Sequence, residues 1–189
     1  MSDQDRIDAD AIQRLLDGDE SAFDELVERY TPPLYSLAYR MLGSYEAAED
    51  AVQEIFTKLY RAAGQYDSSK RFFSWLYTIA LNYLRSQLRS PKKQARARTL
   101  TFDDGLQTLN TGDDLPERDV LRREAEEHLQ HALQQLKPAY REVFLLRQME
   151  ELSVKETSRI MDIPENTVKT HFRRARRELR TILSQMGWK

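Results

Sequence analysis

Apolar residues recur at helical spacing along most of this 189-residue chain. Ile12, Leu15 and Leu16 form a short apolar face that stops at Gly18. Phe23, Leu26, Val27 and Tyr30 predict a second helix, expected to end before Pro32-Pro33 because proline removes a backbone donor and crowds the preceding turn. Leu34, Leu37, Ala38, Met41 and Leu42 predict a third, stopped by Gly43, and Ser44 is placed to cap a fourth carrying Ala48, Val52, Ile55, Phe56 and Leu59. A break across Gly64 to Ser69 precedes a long helix from about Phe72 to Leu88, closed by Ser90-Pro91.

Periodicity then fades. The stretch around Thr101–Gly105 and Asn110–Asp114 is made of turn formers and acids, which reads as a linker. Helical pattern returns with Ala125, Leu129, Ala132, Leu133 and Leu136, continues through Tyr140, Val143, Phe144 and Leu146, and closes with a short segment after Ser153 and a last helix after Pro164. The fold expected is all-α: two small helical domains, residues 1–93 and 122–189, joined by a flexible linker over 94–121.

Composition narrows the function classes. With no cysteine, the chain is excluded from thiol catalysis, disulfide frameworks and cysteine-ligated zinc. The polar, acidic start (MSDQDRIDAD) and the lack of a long apolar run point away from secretion or membrane insertion, so the cytoplasm is the expected location. Net charge is only −2, yet it is segregated. Met1–Tyr60 holds 14 acids against 5 bases, Arg61–Arg98 9 bases against 1 acid, Thr99–Glu127 9 acids against 3 bases, and Glu165–Lys189 7 bases against 2 acids. Two basic islands between acidic stretches fit two separate contacts with a polyanion, or solvated faces.

The carboxy-terminal island has a readable frame. Ser153-Val154-Lys155-Glu156 is a capping box opening a helix with Val154, Thr157, Ile160 and Met161 inward. Asp162 falls where a tight turn favours left-handed backbone. After Pro164, the stripe Val168, Phe172, Ala175, Leu179 and Ile182 leaves a basic opposite face. A helix of this kind fits the major groove, its first residues meeting base edges and later cations the phosphates. Thr167, Lys169, Thr170, His171 and Arg173 are thus expected at base edges, and Arg174, Arg176 and Arg177 mainly at the backbone. The whole stretch LKPAYREVFLLRQMEELSVKETSRIMDIPENTVKTHFRRARRELR resembles region 4 of sigma factors of the extracytoplasmic-function class, the module that reads the minus-thirty-five promoter element. Asp162 and Ser158 stand where that family often has glycine and alanine.

A helix-turn-helix alone also suits a stand-alone transcriptional regulator, so the first half decides. AEDAVQEIFTKLYRA, Ala48–Ala62, resembles region 2.2 of the same family, which packs on the polymerase clamp. The resemblance assigns Asp50, Gln53 and Glu54 to core RNA polymerase, with Phe56 and Leu59 in the core of the module. The next segment, GQYDSSKRFFSWLYTIALNYLRSQLRSPKK, mixes aromatics with cations, a composition suited to single-stranded DNA through stacking and backbone contacts. Phe72, Trp75, Leu76, Ile79 and Leu84 nevertheless share one helical face, and Trp75 is expected to be mainly structural. The segment resembles regions 2.3 and 2.4, where a loop captures a flipped base of the minus-ten element. Carried over by position, Tyr66, Ser68, Ser69 and Lys70 form the pocket, Tyr77 and Asn82 line its helix side, and Arg71, Arg85 and Arg89 meet phosphates.

The resemblance therefore implies a region 2 helical bundle and a region 4 helix-turn-helix, with promoter DNA and core RNA polymerase as partners. It also implies an anti-sigma factor that holds the protein inactive and a stress- or envelope-related regulon. It calls for no cofactor, metal or catalytic residue. His128 and His131 lie near Glu124 and Glu127 at a spacing that can hold a metal, but no third partner accompanies them. A coil of about 25 residues between the modules spans near 27 Å and stretches to about 85 Å, enough for two turns of duplex.

Overall fold

A computed structural model describes residues 3–89 and 117–188, with side chains for 3–89 and 124–188. Most of the expected linker, and with it Ser90-Pro91, Lys92 and Lys93, lies outside the described residues. The described chain is helical: α1 (Asp3–Leu16), α2 (Ser21–Leu42), α3 (Tyr45–Ala62), α4 (Phe72–Arg89), α5 (Glu117–Gln135), α6 (Pro138–Phe144), α7 (Val154–Met161) and α8 (Glu165–Gln185). A 3-10 turn at Ala63–Gln65 follows α3, and a π-helical turn at Leu145–Met149 extends α6.

Two expected boundaries move. The break at Pro32-Pro33 does not occur, because both prolines sit inside one 22-residue helix. Ala22, Leu26, Tyr30, Leu34, Leu37, Ala38 and Met41 form an unbroken buried stripe across them. Two missing N–H donors and ring crowding cost about 3 kcal/mol or more per proline in an isolated helix. Burying that many apolar side chains, each worth roughly 1.5–3 kcal/mol when large, outweighs the penalty. The second shift is at the other end of the linker, where α5 already starts at Glu117 rather than at 122.

α1 to α4 pack around Leu26, Leu34, Ile55, Leu59, Phe72, Leu76, Leu81 and Leu84, all fully buried. The stripe of α1 carries two acids as well as Ala11, Ile12 and Leu15: Asp5 and Asp8 are both buried. Asp8 accepts from the Arg29 guanidinium at 2.6 Å, from Gln4 at 2.9 Å and from the Tyr30 hydroxyl. Burial, with the Asp8 carboxylate beside it, pushes the Tyr30 hydroxyl far above its usual range, so it remains a donor.

α5 to α8 form a second core from Ala132, Leu133, Leu136, Val143, Leu146, Ile160, Val168, Ala175 and Leu179. The two modules are not merely tethered, as the sequence suggests; they are docked. α2 ends in left-handed Gly43 (φ 76°), and side chains of the second module take the carbonyls of its last turn. Gln130 Nε2 donates to Tyr39 O at 2.9 Å, Gln134 Nε2 to Arg40 O at 2.9 Å, and the buried Arg141 guanidinium to Met41 O. Burial pushes Arg141 down to about 10, still well above neutrality.

Candidate nucleic-acid interface

The helix-turn-helix forms as its local signals require. Ser153 Oγ accepts from Glu156 N at 3.2 Å, and Glu156 Oε2 accepts from Ser153 N at 2.9 Å, completing the capping box. Asp162 takes the left-handed conformation (φ 53°, ψ 49°), and Ser158 Oγ donates to Ile163 O at 2.5 Å to hold the turn. α8 buries Val168, Ala175 and Leu179 and leaves Lys169, Arg173, Arg176 and Arg177 exposed, with Thr167 and Thr170 half-buried at its start.

Arg173, Arg176, Arg177 and Arg180 surround Phe172 in an open groove of about 270 Å³. The guanidinium carbons of Arg147 and Arg176 stand 5.5 and 5.8 Å from the Phe172 ring, a cation–π arrangement that holds the arginine stems against apolar surface. Five cations on one exposed stretch attract a polyanion.

Two members of the expected set face elsewhere. His171 is half-buried, its ring 5.0 Å from the Tyr140 ring and its Nδ1 buried without a protein partner. It follows Val168 by three residues and precedes Ala175 by four, so it belongs to the inward stripe and not at base edges. Arg174 is exposed but directed at α6, where its Nη1 donates to Tyr140 Oη at 2.9 Å. That bond raises its already high pKa.

The loop before α4 is a compact turn. Asp67 Oδ1 accepts from Ser69 N at 3.0 Å and from Ser69 Oγ at 2.7 Å, and Lys70 Nζ stands 3.2 Å from Asp67 Oδ2. The Ser69 bonds, then Lys70, hold the Asp67 carboxyl below its usual range. Tyr66 Oη donates to Lys70 O at 2.7 Å, while its ring lies 5.1 Å from Trp75 and 5.6 Å from Phe72. The turn thus gathers Tyr66, Ser68, Ser69 and Lys70 at one corner, backed by the half-buried Trp75. Asn82 and Arg89 are exposed further along α4.

Tyr77, Arg71 and Arg85 have different surroundings. Tyr77 is fully buried, stacked on Phe73 at 3.9 Å, and its hydroxyl donates to Glu150 at 2.7 Å. It cannot line an open surface in this arrangement, because α4 buries a broad face spanning Phe72, Leu76, Tyr77, Ala80, Leu81 and Leu84. Burial, then Glu150, pushes its hydroxyl far above its usual range, and burial raises the Glu150 carboxyl. Arg85 donates from Nε (3.0 Å) and Nη2 (2.7 Å) to one oxygen of Glu142. Arg71 bridges Asp5, at 3.2 Å, and Glu156.

At the start of α3, Ser44 caps the helix by accepting from Ala47 N at 3.3 Å. Ala48, Val52, Ile55, Phe56 and Leu59 turn inward, which leaves Glu46, Asp50, Gln53 and Glu54 as an exposed polar stripe. Beside it, an open groove of about 420 Å³ between α2 and α3 is lined by Phe23, Val27, Phe56 and Tyr60, with Gln53, Thr57 and Arg61 at its rim. Phe23 meets Phe56 and Tyr60 edge-on at 6.2 and 5.2 Å, leaving Tyr60 half-exposed. The sequence reading missed this groove, although Phe23, Val27, Phe56 and Tyr60 are apolar positions on two neighbouring helices. Among the described residues no cluster of three or more histidines or acids is placed to hold a metal, and no helix is long and apolar enough to cross a membrane. His128 Nδ1 lies 2.6 Å from Glu124 O, with its ring against Trp188.

Residues 26–94 match the family described as Sigma-70 region 2, and residues 126–179 match Sigma-70, region 4. The chain is 34% identical over 182 residues to the ECF RNA polymerase sigma factor SigW of Bacillus subtilis, covering 93% of this chain and 96% of that protein. It is 33% identical over 184 residues to the RNA polymerase sigma-H factor of Pseudomonas aeruginosa, covering 95% of each. Among solved structures, CnrH in complex with the cytosolic domain of CnrY shares the fold at a TM-score of 0.68 and 21% identity, over 95% of this chain and 98% of that one. The sigma factor RpoE, in complex with the anti-sigma factor NepR from Bartonella quintana, gives 0.66 and 21% over 86% and 96%.

Proposed function

This chain belongs to the sigma-70 family of RNA polymerase sigma factors, in its extracytoplasmic-function class, and from that premise we propose how its surfaces divide the work of initiation. The protein directs core RNA polymerase to a subset of promoters. Asp50, Gln53 and Glu54 on α3 dock on the polymerase. Lys169, Thr170 and Arg173, with Thr167 at the start of α8, read the minus-thirty-five element as duplex, and Arg176 and Arg177 grip its phosphates. Arg174 reaches phosphate from the edge of the same face.

The corner of Tyr66, Ser68, Ser69 and Lys70 receives a flipped minus-ten base, with Asn82 beside it and Arg71, Arg85 and Arg89 along the backbone of the strand. Flipping costs a few kcal/mol, which stacking at about 1–3 kcal/mol per base offsets. As a sigma factor the protein acts as a specificity subunit of the polymerase rather than as an enzyme, and it works in the cytoplasm, where promoter DNA lies. An anti-sigma factor holds it in reserve until an envelope or stress signal arrives.

The observation that supports this reading is the face of α8, where Lys169, Arg173, Arg176, Arg177 and Arg180 stand exposed around Phe172 while Val168, Ala175 and Leu179 are buried on the other side of the helix. Co-purification with core polymerase followed by run-off transcription tests it. Sequence-specific duplex binding by the free protein, without polymerase association, would instead favour a stand-alone regulator.

A further inference from the structure

α1 carries none of the residues assigned to polymerase or DNA, yet it buries two carboxylates on its apolar stripe. Asp5 is 3% exposed and Asp8 1%. A buried carboxylate loses its hydration, and an apolar residue of similar size in its place is often as stable or more so. Stability is therefore a poor reason for either acid. What they hold is a better guide.

They back the corner before α4 from two sides. Asp5 accepts from Arg71 Nε through both carboxylate oxygens, each at 3.2 Å, and Arg71 directly follows Lys70 of the corner. Asp8 accepts from the hydroxyl of Tyr30, whose ring lies 5.4 Å from Phe72, and Phe72 meets the Tyr66 ring edge-on at 5.6 Å. Arg29 donates to Asp8 at 2.6 Å, which pins α1 to α2. Burial, then the carboxylates of Asp5 and Asp8, raises the Tyr66 hydroxyl above its usual range, so both acids lie within electrostatic reach of the corner.

We propose that Asp5 is a positioning residue for strand capture: from its footing on α1 it aims the guanidinium of Arg71, so that a phosphate and the flipped base beside it are met in one register. The inference rests on reading the Tyr66–Lys70 corner as the minus-ten pocket. A grip on Nε fixes the plane of the guanidinium and leaves the Nη nitrogens for another anion. Arg71 does hold two anions at once, since its Nη1 meets Glu156. An arginine aimed in advance loses less side-chain freedom when the strand binds. The ion pair itself adds little stability, because Arg71 is 45% exposed and solvent screens it.

A negative charge that aims a phosphate contact differs in its signature from one that repels DNA or props the fold. The assay is anisotropy of a labelled single-stranded oligonucleotide on holoenzyme made with the full chain. One strand carries the minus-ten segment of a promoter used in run-off transcription; the other has those bases replaced. Asp5→Asn should cut the affinity ratio of the two strands about 5-fold, entirely through weaker binding of the first. The second, held by its phosphates, should bind unchanged or more tightly, since a negative charge is gone. Asp5→Leu fills the site without a buried charge and should act alike, so a folding defect in one variant does not decide the matter. Arg71→Lys keeps the charge but has no Nε, and in that background Asp5→Asn should have no further effect.

Equal changes for both strands, no change in either, or an effect of Asp5→Asn that persists beside Arg71→Lys overturns the proposal. Tyr66→Ala separates the two readings. If it lowers the ratio while the Asp5 variants do not, the corner remains the minus-ten pocket and only the positioning role falls. If it too leaves the ratio unchanged, the reading of the corner falls with it.

Discussion

Replacing Gly43 with alanine tests whether the contact between the two modules at the end of α2 is packed or loose. The residue has φ 76°, ψ 11°, a left-handed conformation that costs an alanine about 1–2 kcal/mol. Its new methyl would lie 3.1 Å from Gln134 Cδ and 3.2 Å from Gln134 Nε2. Gln134 would have to shift, and its side chain makes two bonds: Nε2 to Arg40 O at 2.9 Å and Oε1 from Arg141 at 2.7 Å. At about 1 kcal/mol net each, the packing part of the loss is near 2 kcal/mol.

Gly18 supplies the control. It too has positive φ, at 96°, but nothing stands within 4 Å of a methyl group there. Gly18→Ala should therefore lose only the backbone part, about 1–2 kcal/mol. In urea denaturation at neutral pH, Gly43→Ala should unfold with a midpoint roughly 1 M lower than Gly18→Ala, for a slope of about 2 kcal/mol per M. In a Gln134→Ala background the extra loss should vanish. Equal losses for the two glycine variants, or an undiminished loss without Gln134, would refute the reasoning.

Further expectations follow from the two DNA faces and from Asp19 at the start of α2. Lys169→Ala with Arg173→Ala should weaken use of the upstream element, by roughly 1–3 kcal/mol for each true base contact, whereas Asn82→Ala should slow strand opening; abortive initiation on promoters lacking one element or the other separates them. Tyr140→Phe keeps the ring but releases Arg174, and it should lower upstream-element affinity severalfold without adding to the effect of Arg174→Ala, as read by a double-mutant cycle. Asp19, held below its usual 3.8 by the Ser21 hydroxyl and then by Arg14, contributes stability that is fully present above about 3.8 and lost as pH falls through its lowered value; the stability gap between the natural chain and Asp19→Asn should close over that range in acid titrations.

What the sequence made legible was local. The capping box at Ser153, the left-handed turn at Asp162, the Ser44 cap and the span of α4 from Phe72 each depend on residues a few positions apart, and all formed as read. The prolines of α2 defeated that logic, because a buried stripe supported by α1, α3 and α4 outweighs a local penalty. Tyr77 was carried over by position from the family and His171 was read from its basic neighbours, yet the helical phase of each puts it inward. Asp5 and Asp8 went unread, although they share the helical phase of Ile12 and Leu15; their partners Arg71, Arg29 and Tyr30 lie outside α1. No local pattern could pair Glu142 with Arg85 or Glu150 with Tyr77, since each pair joins modules far apart in the chain.

The ion pairs between the two modules also change how salt should act on strand capture. A cation that meets phosphate from open solvent sheds a condensed counterion from the nucleic acid, and for single strands each such contact contributes about −0.7 to the logarithmic salt slope. Arg85 and Arg71 do not start from open solvent; they leave Glu142 and Glu156, which must then gather small cations of their own. Capture thereby becomes partly an exchange of one anion for another. Its salt slope should be shallower than the number of phosphate contacts implies, and Glu142→Gln with Glu156→Gln should recover the steeper value.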